Sequence, residues 1–212
     1  MQISFPKGSQ YTPLLIGVCS DDGAMLCADS RTTCHTEDGF ETDDTCKKLF
    51  RVNDRLILAV SGLFRASDRF IEPLVGQNCA SLNTDSARDL IEEYLLGEIA
   101  VGNPVGERCY VLAGADADGR VCLETVSYNG EGGMIETDKQ LGDEKGCYIL
   151  MLPPNGWLDA KGWHERLEDV LEDNSIPLPE RLRAYVAELE KISDMVGGSV
   201  KCELVRKNDS QE

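Results

Sequence analysis

The stretch LLIGVCSDDGAMLCADSR, Leu14 to Arg31, decides how the rest of the chain is read. Two apolar runs flank Ser20-Asp21-Asp22-Gly23, a turn signal between segments of strand length, so the stretch predicts a hairpin with strands over 14–20 and 24–29. Its second strand ends by releasing Asp29, Ser30 and Arg31. A second hairpin follows in KKLFRVNDRLILAVSG, Lys47 to Gly62, with lysines before one strand and Ser61-Gly62 after the next. Carboxylate, ammonium and glycine backbone thus gather at strand ends, a common setting for acid/base and oxyanion chemistry.

Outward from these hairpins, turn residues and apolar content predict strands at 48–52, 55–60, 108–115, 120–127, 146–152 and 199–206. Helical spacing appears at 64–76, through Phe64, Phe70, Ile71 and Leu74, and at 84–98, opened by Asn83-Thr84-Asp85. Two more helices are predicted over 158–173 and 178–193, the latter placing Leu182, Tyr185, Val186 and Leu189 on one side. Hairpins with segregated helix pairs imply an α+β layered fold, two sheets face to face with helices outside. No linker or internal repeat divides the 212 residues, which read as one domain.

Charge narrows the function. With 21 Lys+Arg against 38 Asp+Glu, the formal net charge of −17 repels phosphate backbones and anionic lipid, so neither nucleic acid nor a membrane surface is an expected partner. No apolar run approaches bilayer length, and MQISFPKGSQ lacks the apolar centre of a signal peptide, which gives a cytoplasmic expectation. Nine cysteines contain no CxxC pair, and their odd number opposes a disulfide framework; they read as reduced, buried thiols, and no metal site is expected. His35 and His164 read as surface residues. Asp116-Ala117-Asp118-Gly119 lacks the rest of a calcium loop and reads as a hairpin turn, while CHTEDGFETDD at 34–44 reads as a solvated loop.

ADSRTT at 28–33, KKLFRVND at 47–54, AVSG at 59–62, YVLAGADADG at 110–119 and VGGSVKCELV at 196–205 stand in one order along the chain. That order resembles the subunits of the proteasome family, which includes the HslV-type peptidases, among the N-terminal-nucleophile hydrolases. The resemblance implies a four-layer αββα sandwich, assembly into homo-oligomeric rings and hydrolysis of peptide or protein substrates without a cofactor; an ATPase partner is left open. It implies a leader over residues 1–11, a domain over 12–206 and a polar tail over 207–212.

In such enzymes a chain-terminal threonine supplies the attacking hydroxyl and, through its own amine, the base. By resemblance Thr12 is the nucleophile, Lys48 the cation that lowers the amine's pKa, Asp29 the group that holds the lysine, and Gly62 N–H the oxyanion donor. Arg31 and Asp194 have supporting places. Four departures stand beside this. The family's count back from Asp29 reaches Pro13, one residue past Thr12, Tyr11 replaces the glycine usual before the cut, and Pro153-Pro154-Asn155-Gly156 replaces a Gly-Ser-Gly turn. Asp194 is itself shifted by one from the family's acidic position. Two functions therefore stay open: a threonine-type peptidase subunit of a self-compartmentalised protease or a related amidohydrolase, or a noncatalytic proteasome-like subunit in which Asp29 and Lys48 survive as an ion pair.

Overall fold

The computed structural model describes residues 9–12, 14–36, 39–65, 74, 79–102, 106–130, 134–152 and 160–207. The first hairpin forms as its turn dictates. Strand β2 (Leu15–Ser20) pairs with β3 (Gly23–Ala28) in a register that matches Ser20 to Gly23, leaving Asp21-Asp22 as the loop. A β-carbon on Gly23 would lie 2.5 Å from the carbonyl oxygen of Val205, so glycine lets the neighbouring strand pass. Strand β11 (Cys147–Met151) joins the β2 edge and β12 (Lys201–Arg206) the β3 edge, completing a sheet in the order β11-β2-β3-β12.

The larger sheet is built on β7 (Leu56–Arg65) and β8 (Arg108–Ala115), extended by β9 (Val121–Tyr128) and β10 (Ile135–Leu141). On the other edge of β7 lie two strands. β6 (Leu49–Asn53) takes its first half, with Leu49 opposite Ala59, and β1 (Ser9–Thr12) its second, with Thr12 opposite Gly62. Both run antiparallel to β7, so they lie end to end along one edge. β1 also pairs with β4 (Thr32–Thr36), and β4 with β5 (Gly39–Asp43).

Alternation along the strands sorts side chains into three apolar clusters. Leu15, Leu26, Ile57, Val111 and Leu123 are buried between the two sheets. Leu58, Tyr110, Leu112 and Val126 face the other way, against Ala87, Ile91 and Leu95 of α1 (Thr84–Ala100). On the outer face of the smaller sheet, Leu14, Ile16 and Met25 meet Trp163 and Leu167 of α2 (Ala160–Glu172) and Leu182, Tyr185 and Leu189 of α3 (Leu178–Glu190). Full burial of each such leucine stabilises the fold by about 1.5–3 kcal/mol. Asn83 starts α1 by accepting the Ser86 N–H at 2.9 Å while Ser86 Oγ receives the Asn83 N–H, a reciprocal cap. Among the described residues no helix is long and apolar enough to cross a membrane.

Several sequence expectations are corrected. The helix expected over 64–76 does not begin at Phe64, because β7 continues to Arg65; most of the remainder lies outside the described residues. Part of the acidic stretch expected as a solvated loop is instead the β4–β5 hairpin. Residues 135–141, which lie outside the strands and helices expected from the sequence, form β10 on the β9 edge. The cysteines are not all reduced, since Cys27 and Cys202, directly opposed across β3 and β12, form a disulfide. His164 is half-buried beside Tyr148, with ring centroids 5.9 Å apart. The Asp116–Gly119 segment is the expected turn, closed by the Asp116 N–H on Arg120 O at 2.9 Å.

Candidate active site

Ala28 is paired on both sides, with Leu15 and with Lys201, so Asp29 leaves the smaller sheet at its centre and cannot reach solvent. Its side chain and that of Lys48 are 0% and 1% exposed. Lys48 Nζ donates to Asp29 Oδ1 at 2.5 Å, and the Gly197 N–H donates to Oδ2 at 2.9 Å. Burial pushes the Asp29 carboxyl up from its usual range, against the pull of the Lys48 charge and the N–H donors. Burial likewise pushes the Lys48 ammonium down, against the pull of Asp29. The void beside them, bounded by Ala28, Ser30, Cys46 and Ser199, measures about 10 Å³, at the lower limit for one water.

Arg31 organises the surrounding loops. Its Nε and Nη2 grip Asp44 Oδ1 and Oδ2 at 2.7 and 2.9 Å, a bidentate pair, while Nη1 donates to the carbonyls of Asp194 and Val196 at 3.2 and 3.0 Å. Ser30 Oγ donates to the Asp44 carbonyl and accepts the Ser199 N–H at 2.9 Å. These contacts fold the segment before β12 over Asp29 and aim the Gly197 N–H. Gly198 stands at φ +76°, in the left-handed region, where an added β-carbon would also meet Ser30 Oγ.

Gly62 has φ +110°, and a β-carbon there would lie 2.6 Å from both Arg108 Cα and Glu107 O. Glycine is required because β7 and β8 approach too closely for a side chain. A cavity of about 490 Å³ opens beside Ser61 and Gly62, bounded also by Cys109, Thr125, Ser127 and Met151.

The β7 edge brings several of the sequence-selected residues together. Thr12 closes β1 opposite Gly62, and Lys48 precedes β6, its carbonyl accepting the Val60 N–H at 3.1 Å. Thr12 and Lys48 therefore border the same gap, two residues apart along β7. Asp194 stands apart: it is exposed and gives Arg31 its main-chain carbonyl. Sequence reasoning did not select Asp44, Ser30, Ser199 or the Gly197 N–H. The glycine pair at 197–198 was a usable signal, whereas Asp44 was hidden in a run of other acids.

Residues 14–88 match the model of the proteasome subunit family. Among solved structures, the fold is similar to the one described as the helical assembly of the Anbu complex from Pseudomonas aeruginosa, with TM-score 0.60 at 16% identity, over 91% of this chain and 81% of that one. It is likewise similar to Anbu (ancestral beta-subunit) from Yersinia bercovieri, with TM-score 0.61 at 15% identity, over 93% and 83%. Identities this low establish the fold alone. No curated protein is significantly similar to the chain in sequence.

Proposed function

We propose that this chain is a proteasome-like subunit with the four-layer αββα architecture of N-terminal-nucleophile hydrolases, and that it is a threonine-type peptidase in precursor form. The observation that carries the reading is the gap where β1 and β6 meet end to end, with Thr12, Lys48 and Gly62 around it. On this reading residues 1–11 are a leader, 12–206 the working domain and 207–212 a tail. Hydrolysis between Tyr11 and Thr12 would free an amine on Thr12. Its hydroxyl would then attack a peptide carbonyl, the amine taking the proton, Lys48 keeping that amine unprotonated near neutral pH and the Gly62 N–H receiving the oxyanion.

The leader also suggests how substrate is held. Ser9–Tyr11 pair with β7 on one side, and Gln10 and Tyr11 with β4 on the other, so an extended peptide entering after their departure would use the same main-chain partners. We further propose a cytoplasmic homo-oligomer. Leu96 and Val101 at the end of α1 are 55% and 72% exposed, an apolar surface that a neighbouring copy would cover.

Intact mass and terminal sequencing of protein matured in its host test the catalytic reading. A chain beginning at Thr12, retained full length in Thr12→Ala, supports it, and a wild-type chain that keeps Tyr11 overturns it. A second reading, the noncatalytic subunit, is favoured by the sealing of Lys48, whose ammonium already has Asp29 and no open path to solvent. It requires a full-length mature chain that assembles but does not cleave peptide amides.

A further inference from the structure

The smaller sheet carries four of the nine cysteines, and they fall into two directly opposed pairs. Cys27 and Cys202 face each other across β3 and β12, on the side covered by α2 and α3, and are bonded with Cα atoms 4.1 Å apart. Cys19 and Cys147 face each other across β2 and β11, on the opposite side, against the core between the sheets. Each edge strand is thus matched to the central hairpin through one cysteine pair, and the pairs lie on opposite faces.

The Cys19–Cys147 geometry suits a bond. Directly opposed residues in an antiparallel ladder have Cα atoms about 4.5 or 5.5 Å apart, depending on which kind of pair they form, and disulfides span about 4.4–6.8 Å. Both side chains pack on the same core cluster, and their thiols reach main-chain carbonyls close by, Cys19 that of Ser20 at 3.8 Å and Cys147 that of Leu141 at 3.9 Å. Gly142 keeps the β10–β11 connection close: a β-carbon there would lie 2.7 Å from Cys19 Sγ. The third cysteine in this neighbourhood, Cys122, has its sulfur 3.1 Å from Thr84 Oγ1 of α1.

We infer that Cys19 and Cys147 are a second disulfide site, formed by exchange with a low-molecular-weight disulfide such as oxidised glutathione. Cys147, partly exposed on the edge strand, reacts first. Its thiolate attacks one glutathione sulfur, forming a mixed disulfide and releasing one reduced glutathione. Buried Cys19 then loses its proton and attacks Cys147 Sγ, releasing the second. Two protein thiols and one oxidised glutathione become one protein disulfide and two reduced glutathiones. The bond would hold β11, whose Met151 borders the cavity beside Gly62, to the sheet centre.

Full-length protein held in excess oxidised glutathione, alkylated, digested and mapped by mass spectrometry is the test. The expected result is five alkylated cysteines rather than the seven left by Cys27–Cys202 alone, with a peptide joining Cys19 to Cys147. Cys147→Ser should restore alkylation of unfolded Cys19 while leaving the Cys27–Cys202 peptide intact, which also reports that this variant has folded. Seven alkylated cysteines, a mixed disulfide at Cys147 that never resolves, or a link from Cys19 to Cys122 would each overturn the assignment.

Discussion

Arg31 Cζ lies 2.5 Å from the point where a β-carbon on Gly197 would stand. The guanidinium therefore rests directly on the glycine backbone, donating to Asp194 O and Val196 O on one side of it while the Gly197 N–H reaches Asp29 on the other. A side chain at 197 and the present position of Arg31 exclude one another.

Gly197→Ala should accordingly cost about 1–3 kcal/mol in urea denaturation, the usual range for overpacking a closed site. Arg31→Ala, by emptying the space, should make the second substitution much less harmful. A double-mutant cycle measures this, and strictly additive costs would show that the two residues do not compete.

For Asp29 and Lys48, burial raises the carboxyl and lowers the ammonium. A raised acid contributes stability that is full below its unfolded pKa and lost as pH rises through the folded one, and a lowered base stability that is full above its unfolded pKa and lost as pH falls through its folded one, so the ionised pair carries an unrecovered desolvation cost. Lys48→Met or Asp29→Leu alone should cost about 3–5 kcal/mol by stranding the other charge, whereas the double replacement should be neutral or stabilising by about 1–4 kcal/mol. Melting temperatures of the four proteins decide it. If the double variant is as weak as either single one, the buried pair stabilises on balance.

Lys139 joins Asp85 at 2.6 Å and Asp116 at 3.3 Å. The hydrogen bond from Lys139 leads in holding Asp85 below its usual range; at Asp116, burial works upward but is outweighed by hydrogen bonds from Arg120 and Lys139. Lowered carboxyls contribute stability above their unfolded pKa and lose it as pH falls through the folded one. Lys139→Met should therefore lose about 1–3 kcal/mol near pH 7 and much less at a strongly acid pH below the lowered values of both carboxyls. Denaturation curves at the two pH values would reveal a pH-independent deficit if the lysine acted by packing instead.

Removal of β1 makes a prediction independent of turnover. A chain starting at Thr12 should exchange amide hydrogens faster in β4 and over 63–65 of β7, while β8 and β9 keep their protection. Uniform loss of protection across the larger sheet would mean that β1 is needed for the whole fold.

Much of the fold was legible where local chemistry and tertiary burial agree. The turn at 20–23 and the apolar runs around it give β2 and β3, and the start of α1 follows from Asn83 and its neighbours because the cap is local. β1, β4, β5 and β10 were not legible. TTCHT, GFETD and IETDKQL carry polar side chains and are strands because a neighbour offers a free main-chain edge. At the candidate site, Asp29, Lys48 and Gly62 could be chosen from the ends of apolar strands. The Asp44 grip on Arg31 and the Cys27–Cys202 bond depend on registers between distant segments, which spacing along the chain does not reveal.

Only residues 13 and 14 separate β1 from β2, and that short tether governs who occupies the groove between β4 and β7. While the bond between Tyr11 and Thr12 is intact, Ser9–Tyr11 compete for their place at an effective concentration of at least about millimolar. Severed after Tyr11, the same residues would compete as a free peptide, at whatever concentration the solution holds. One peptide bond thus separates a permanent occupant from a weak competitor, with no contact in the groove altered.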